Sequence, residues 1–303
     1  VSGVTHAQGL KQTYYSGEEE TGVYYFNRNL KIAVNMMYQL GEVETDGNYY
    51  VTVDGAGSRN GMNWANAFSK ADMWKRITLS ENHTDATNEA KFAALDGATF
   101  HMAAGEYDWG AEATISIEED EEIFFKVIGG YNASTAERDL ENNVTVFTGK
   151  SEHQIFVLGG NMDVEFDGVN FVSGYVDGNG GALQISSGAW SFTDCKFSEN
   201  EAAKNGGAIS ISGGSLSLEN CDFADNVALN DNVDRTSGNG YGGAIDSDGA
   251  MLSIKGGTFS GNVAWRGGAL SIYNCGSEAT IRKVTFTDNG NPNTREGGSI
   301  YTE

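Results

Sequence analysis

Proline occurs once in this chain of 303 residues and cysteine three times. A single proline excludes the proline-rich disordered class. Three cysteines, Cys195, Cys221 and Cys275, with no Cys-x-x-Cys among them, exclude a disulfide framework and the usual thiolate metal spacings. No apolar run reaches the ~18 residues of a membrane-crossing helix. Val1 opens neither a basic start nor the apolar stretch of a signal peptide; a removed leader and a start inside a longer protein both fit. Basic residues are scarce: Lys+Arg number 19 against 42 Asp+Glu, a formal charge of −23. Such a chain repels nucleic-acid phosphate and anionic lipid, so no nucleic-acid partner is expected. The same charge suits solubility or divalent cations. Glycine, with 41 residues, and aromatics, at 11%, are plentiful and point to a folded core with many tight turns.

The glycines and aromatics recur together. Phe-x-x-Asn starts at Phe197, Phe223, Phe259 and Phe286, and a degenerate copy starts at Phe171. Gly-Gly-Ala followed by Ile or Leu starts at Gly180, Gly206, Gly242 and Gly267, with Gly297 opening a related Gly-Gly-Ser-Ile. Between the motifs lie short apolar–polar alternations such as Ile209/Ile211 and Leu216/Leu218, the period of a strand with one face buried. A unit of about 26 residues made of such strands buries its apolar face only by stacking on the next unit. The expected fold is all-β: a parallel β-helix solenoid with about 26 residues per coil, right-handed by the bias of parallel crossovers. Equivalent residues should then stack as ladders: Leu183–Ile209–Ile245–Leu270, Ile185–Ile211–Ile272, Phe192–Leu218–Ile254–Ile281, and the motif phenylalanines. Asn200, Asn226, Asn262 and Asn289 should repeat at one turn, where asparagine bonds local peptides. Cys195 and Cys221, 26 apart, should lie one above the other as buried free thiols, because side chains in register point the same way and give poor disulfide torsion.

The paired Gly-Gly-Ala-(Ile/Leu) and Phe-x-x-Asn motifs over residues 171–303 resemble the repeat of polymorphic outer-membrane proteins and related right-handed parallel β-helix passenger domains of bacterial surfaces. The resemblance implies an adhesin displayed outside the cell. Two departures stand out: this chain carries no outer-membrane barrel or identifiable anchor, and one spacing is 36 residues. Upstream, residues 97–171 read as irregular first coils, about six coils in all through residue 303. Residues 49–96 read as an N-terminal cap, with Trp64, Phe68, Met73, Trp74 and Ile77 at helical spacing. Residues 1–48 read as a leader or the remnant of a preceding domain, with 26–40 fitting helix or strand equally. GGSIYTE at 297–303 opens another coil, so a further domain or a partner is expected at that end.

Chemistry is sparse. Lyases of this architecture need acidic Ca²⁺ ligands and an Arg or Lys base; hydrolases need paired carboxylates. His6, His83, His101 and His153 all lie outside the regular repeats, and no Gly-x-Ser-x-Gly occurs. One acidic concentration stands out: Asp225, Asp231, Asp234, Asp246 and Asp248, a candidate Ca²⁺ set set against an ordinary polar loop. Between Asn226 and Gly242 lie 15 residues where the preceding repeat has five. This insertion supplies candidate binding residues Asp231, Asp234, Arg235 and Tyr241, suited to a glycan or a surface protein. The favoured reading is an extracellular or bacterial cell-surface binding module. A polysaccharide-active enzyme on the same fold is the alternative, and a structural stalk or assembly component the third.

Overall fold

The computed structural model describes residues 9–16, 19–27, 47–77, 95–117, 122–229, 240–274, 279–290 and 298–303. Two compact units divide the chain at Asp46/Gly47. In the first, Gly9–Ser16 and Glu19–Asn27 pair antiparallel, with an irregularity between Tyr14 and Tyr15. Most of 26–40 lies outside the described residues.

The second unit is a parallel β-helix. Three long sheets of eight, seven and seven strands run along it, with a short three-stranded sheet at one corner. One coil shows the plan: Met162–Asp167 belongs to the first sheet, Val169–Val172 to the second, Tyr175–Val176 to the short one and Leu183–Ile185 to the third. Each strand pairs in parallel with its equivalents before and after. Seven coils carry all three long-sheet strands, one more than expected, and Asn48–Val51 adds a rung to the first sheet ahead of them. The first of these coils is Ala98–Ala103, Gly105–Tyr107 and Ala113–Ile117, within the residues read as irregular first coils.

The interior ladders follow the expected register. Leu183 pairs with Ile209, Ile209 with Ile245 and Ile245 with Leu270. Ser247 fills the gap between Ile211 and Ile272. Phe171, Phe197, Phe223 and Phe259 lie flat on one another, with centroids 4.7, 4.7 and 4.5 Å apart and planes within 5°. Fully buried phenylalanines contribute roughly 3–5 kcal/mol each.

Beside them runs an asparagine ladder. Asn226 Oδ1 accepts from Asn200 N at 3.1 Å and from Asn200 Nδ2 at 2.9 Å. Asn226 Nδ2 donates to Phe197 O and to Asn262 Oδ1, and the pattern repeats at Asn262 and Asn289. Each buried amide thus satisfies the turn peptides of its neighbours, which an apolar residue would leave unpaired. The glycine pairs answer a different constraint. A Cβ on Gly207 would sit 2.1 Å from Gly243 O, so the coils stack there too closely for any side chain. Cys195 and Cys221 are buried free thiols, and burial pushes the Cys195 thiol well up, as expected for inert packing residues.

The capping helix is Lys70–Ile77. Ser69 and Asp72 form a capping box: Ser69 Oγ accepts from Asp72 N at 3.1 Å, and Asp72 Oδ2 accepts from Ser69 N at 3.2 Å. Met73 and Ile77 are buried in the solenoid core, and Trp74 stacks on Phe156 at 5.8 Å. Trp64 and Phe68 are not on this helix, contrary to the helical spacing. Trp64 belongs to a 3₁₀ turn, Trp64–Asn66, and Phe68 bridges Val51, because Ser69 starts the helix only after them.

Candidate binding surface

Asp231, Asp234 and Arg235 lie outside the described residues. Asp225 has φ 55°, in the left-handed region shared by Ser173, Glu199, Gly261 and Asp288 at the same turn of other coils, which accounts for a short polar residue there. Tyr241, Asp246 and Asp248 belong to one coil and share the third sheet's outer side. Among the described residues, no three His, Cys, Asp or Glu side chains converge as a metal site requires.

On the third sheet, Asp246 pairs with Ser210 and Ser271, and Asp248 with Tyr273. Alternation turns these residues outward, away from Ile245 and Leu270. Yet Asp246 is only 3% exposed and its Oδ1 has no hydrogen-bond partner. Burial pushes its carboxyl up to about 7; the Ser271 hydroxyl, which makes no well-formed hydrogen bond, offsets part of the shift, and the Asp248 charge adds to it. Burial also raises the Tyr273 phenol, reinforced by the charges of Asp246 and Asp248.

Tyr273 leads into a group of rings. Tyr241 lies 6.0 Å from Tyr273 and 5.9 Å from Tyr301. The Arg266 guanidinium sits over Tyr241, Trp265 and Tyr301 at 5.4, 4.8 and 5.2 Å, and donates to Tyr241 Oη at 2.7 Å. All four rings are partly exposed.

Trp265, Arg266, Tyr273 and Tyr301 were not among the residues singled out from the sequence. A signal for one of them, Arg266, is present in the sequence. The residue before Gly-Gly-Ala is Asn179, then Asn205, then Tyr241, then Arg266. The two asparagines build a second ladder, with Asn205 N donating to Asn179 Oδ1 and Tyr241 N to Asn205 Oδ1, both at 3.2 Å. At Tyr241 the ladder stops, and a Tyr–Arg stack takes its place.

A second polar cluster lies in the early coils. His153 Nε2 and Lys150 Nζ each lie 3.0 Å from Asp108. Burial pushes the Asp108 carboxyl up, but hydrogen bonds from Gly110 N–H, Lys150 and His153 outweigh it and hold the group at about 2. A carboxylate held that firmly ionised is a poor general acid.

Residues 194–212 match the Chlamydia polymorphic membrane protein (Chlamydia_PMP) repeat, a segment that includes Phe197, Asn200 and the Gly206–Gly207–Ala208 corner. No curated protein and no solved structure matches.

Proposed function

We propose that this chain is an adhesin-like binding module of a bacterial surface, which meets its partner with the outer face of the third sheet at its last coils. The observation that carries the reading is the Tyr241–Arg266–Tyr301 stack, flanked by Trp265 and Tyr273. Tyrosine, tryptophan and arginine dominate the energetic centres of protein interfaces. Partly exposed rings offer large contact area at little conformational cost. The partner is therefore a surface protein. In the sequence, the insertion carrying Asp231, Asp234 and Arg235 directly precedes Tyr241. The polymorphic membrane protein repeat supports a place at the cell surface.

The test is binding of the full chain to arrays of cell-surface proteins and glycans, with and without EDTA to read any Ca²⁺ contribution. Two variants accompany it: Tyr273→Ala/Tyr301→Ala, and residues 227–241 shortened to the five-residue turn of the preceding repeat. A protein ligand lost at least tenfold in the variants, with unchanged melting, supports the reading. Ligand binding untouched by both variants overturns it. Unsaturated or reducing-end products from a polysaccharide panel would favour the enzyme alternative.

A further inference from the structure

At the opposite end of the solenoid, a cleft of about 410 Å³ opens between the segment after Asn48–Val51 and the loop that follows Ile123–Tyr131. That volume falls within the range of small-molecule sites. Its walls carry the Asp54 carboxylate, the amides of Asn132 and Asn143, the Thr52 hydroxyl and Tyr131, together with backbone and small apolar side chains. Among the described residues, no lysine, arginine or histidine lines it.

The walls are preorganised. Asn132 Oδ1 accepts from Ser134 N at 2.9 Å and Thr135 N at 3.2 Å, which fixes the amide plane and leaves Nδ2 as the donor. Asn132 N donates to Glu137 O, and Ala136 N to Asn132 O, closing the loop on itself. Arg138 anchors the loop to the sheet through Gly129 O at 2.9 Å and Asp167 at 2.5 Å. Tyr131 is held by a closed set of rings: His101 edge-on at 5.1 Å and Trp64 at 5.6 Å, both in contact with Tyr50.

We infer that this cleft binds a neutral saccharide unit. The chemistry selects the class. A carboxylate, amides and a hydroxyl offer acceptors and donors in the mixture that vicinal hydroxyls require. An aromatic wall covers the C–H face of a sugar ring. An anionic ligand finds no cation among the described wall residues and meets Asp54 on a chain of charge −23. A purely apolar ligand would leave Asn132 Nδ2 and the Asp54 carboxylate without a partner in the cleft. The inference is independent of the tyrosine–arginine surface, since no residue is shared.

The experiment is a titration of the full chain, read by protein fluorescence and by saturation-transfer NMR of the sugar. Probes are glucose, galactose, mannose and N-acetylglucosamine, each also as a disaccharide, against galacturonate and N-acetylneuraminate. At least one neutral probe is expected to bind with Kd of about 1 mM or tighter, with the acidic probes at least tenfold weaker. Asp54→Asn and Asn143→Ala should each weaken that binding tenfold or more without changing the melting temperature. Tyr131→Phe, which keeps the ring, should retain most of it. The chain shortened at 227–241 should bind the sugar as the wild type does. No binding of any neutral probe up to about 10 mM, tighter binding of the acidic probes, or indifference to both polar substitutions would overturn the assignment.

Discussion

Around Phe147 the interior rings meet edge to face. Phe147 touches Tyr107, Trp109, Phe156, Phe166 and Phe171 at interplanar angles of 76–89°. From Phe171 onward the motif phenylalanines lie flat on one another, and asparagines run beside them from Asn200 to Asn289. The strand plan is the same in both regions, so strand pairing does not decide the difference. Nor does coil length, since Phe223 and Phe259 stack flat across a 36-residue spacing. The neighbouring rings do: Phe147, in register with Phe171, also packs against Tyr107, Trp109, Phe156 and Phe166 and meets Phe171 edge to face, whereas Phe223 has its own kind above and below. The late coils gain regularity at the cost of repeated dependence on one residue type per position. The early coils spread the same burial over unlike contacts.

Breaking the asparagine ladder should have the largest effect. Asn226→Ala leaves Asn200 N, Asn200 Nδ2 and Phe197 O without these partners inside the structure. Buried unpaired groups cost about 1–3 kcal/mol each, so a loss of roughly 3–6 kcal/mol is expected in denaturant unfolding. The early coils have no equivalent, since Lys150 stands three residues after Phe147 where the motif has asparagine. A loss under about 1 kcal/mol would mean that water replaces the ladder freely.

The two packing styles are compared directly by Phe147→Ala and Phe223→Ala. Both rings are fully buried, and each substitution should cost about 3–5 kcal/mol. Phe147, with five ring neighbours among the described residues, should be the more costly, whereas Phe223 has two there, above and below. The reverse order would show that in-register stacking outweighs the number of edge contacts.

A smaller effect, dependent on pH, sharpens the contrast within the late coils. Asp246 is held at about 7 against an ordinary 3.8. A carboxyl raised by folding binds its proton more tightly in the folded state, so stability falls as pH climbs from about 4 to about 7 and stays low above. Asp246→Asn removes that dependence. The variant should match the wild type near pH 4 and exceed it at pH 8, by at most about 4 kcal/mol. A difference that does not change across this window would show that Asp246 titrates normally.

The repeated part of this architecture was legible because ladders demand the same residue at the same step. Phe197, Asn200 and Gly207 each announce one position of a coil, and the spacing of 26 supplies the pairing. The first coils were harder. Gly105–Tyr107 is three residues long, and Trp64 has helical spacing to Phe68 yet sits in a 3₁₀ turn. The tyrosine–arginine surface was half legible, since Tyr241 and Arg266 replace asparagine before Gly-Gly-Ala, but nothing local marks Tyr273 or Tyr301.

By itself, then, the sequence determined a parallel solenoid, its period, its interior ladders and the corners where glycine is required, because each follows from a repeated local constraint. Tertiary structure alone decided what gathers on the outside. Tyr241, Tyr273 and Tyr301 are up to 60 residues apart, and Asp54 and Asn143 further still. They become neighbours only when whole coils stack, at distances that no period in the chain encodes.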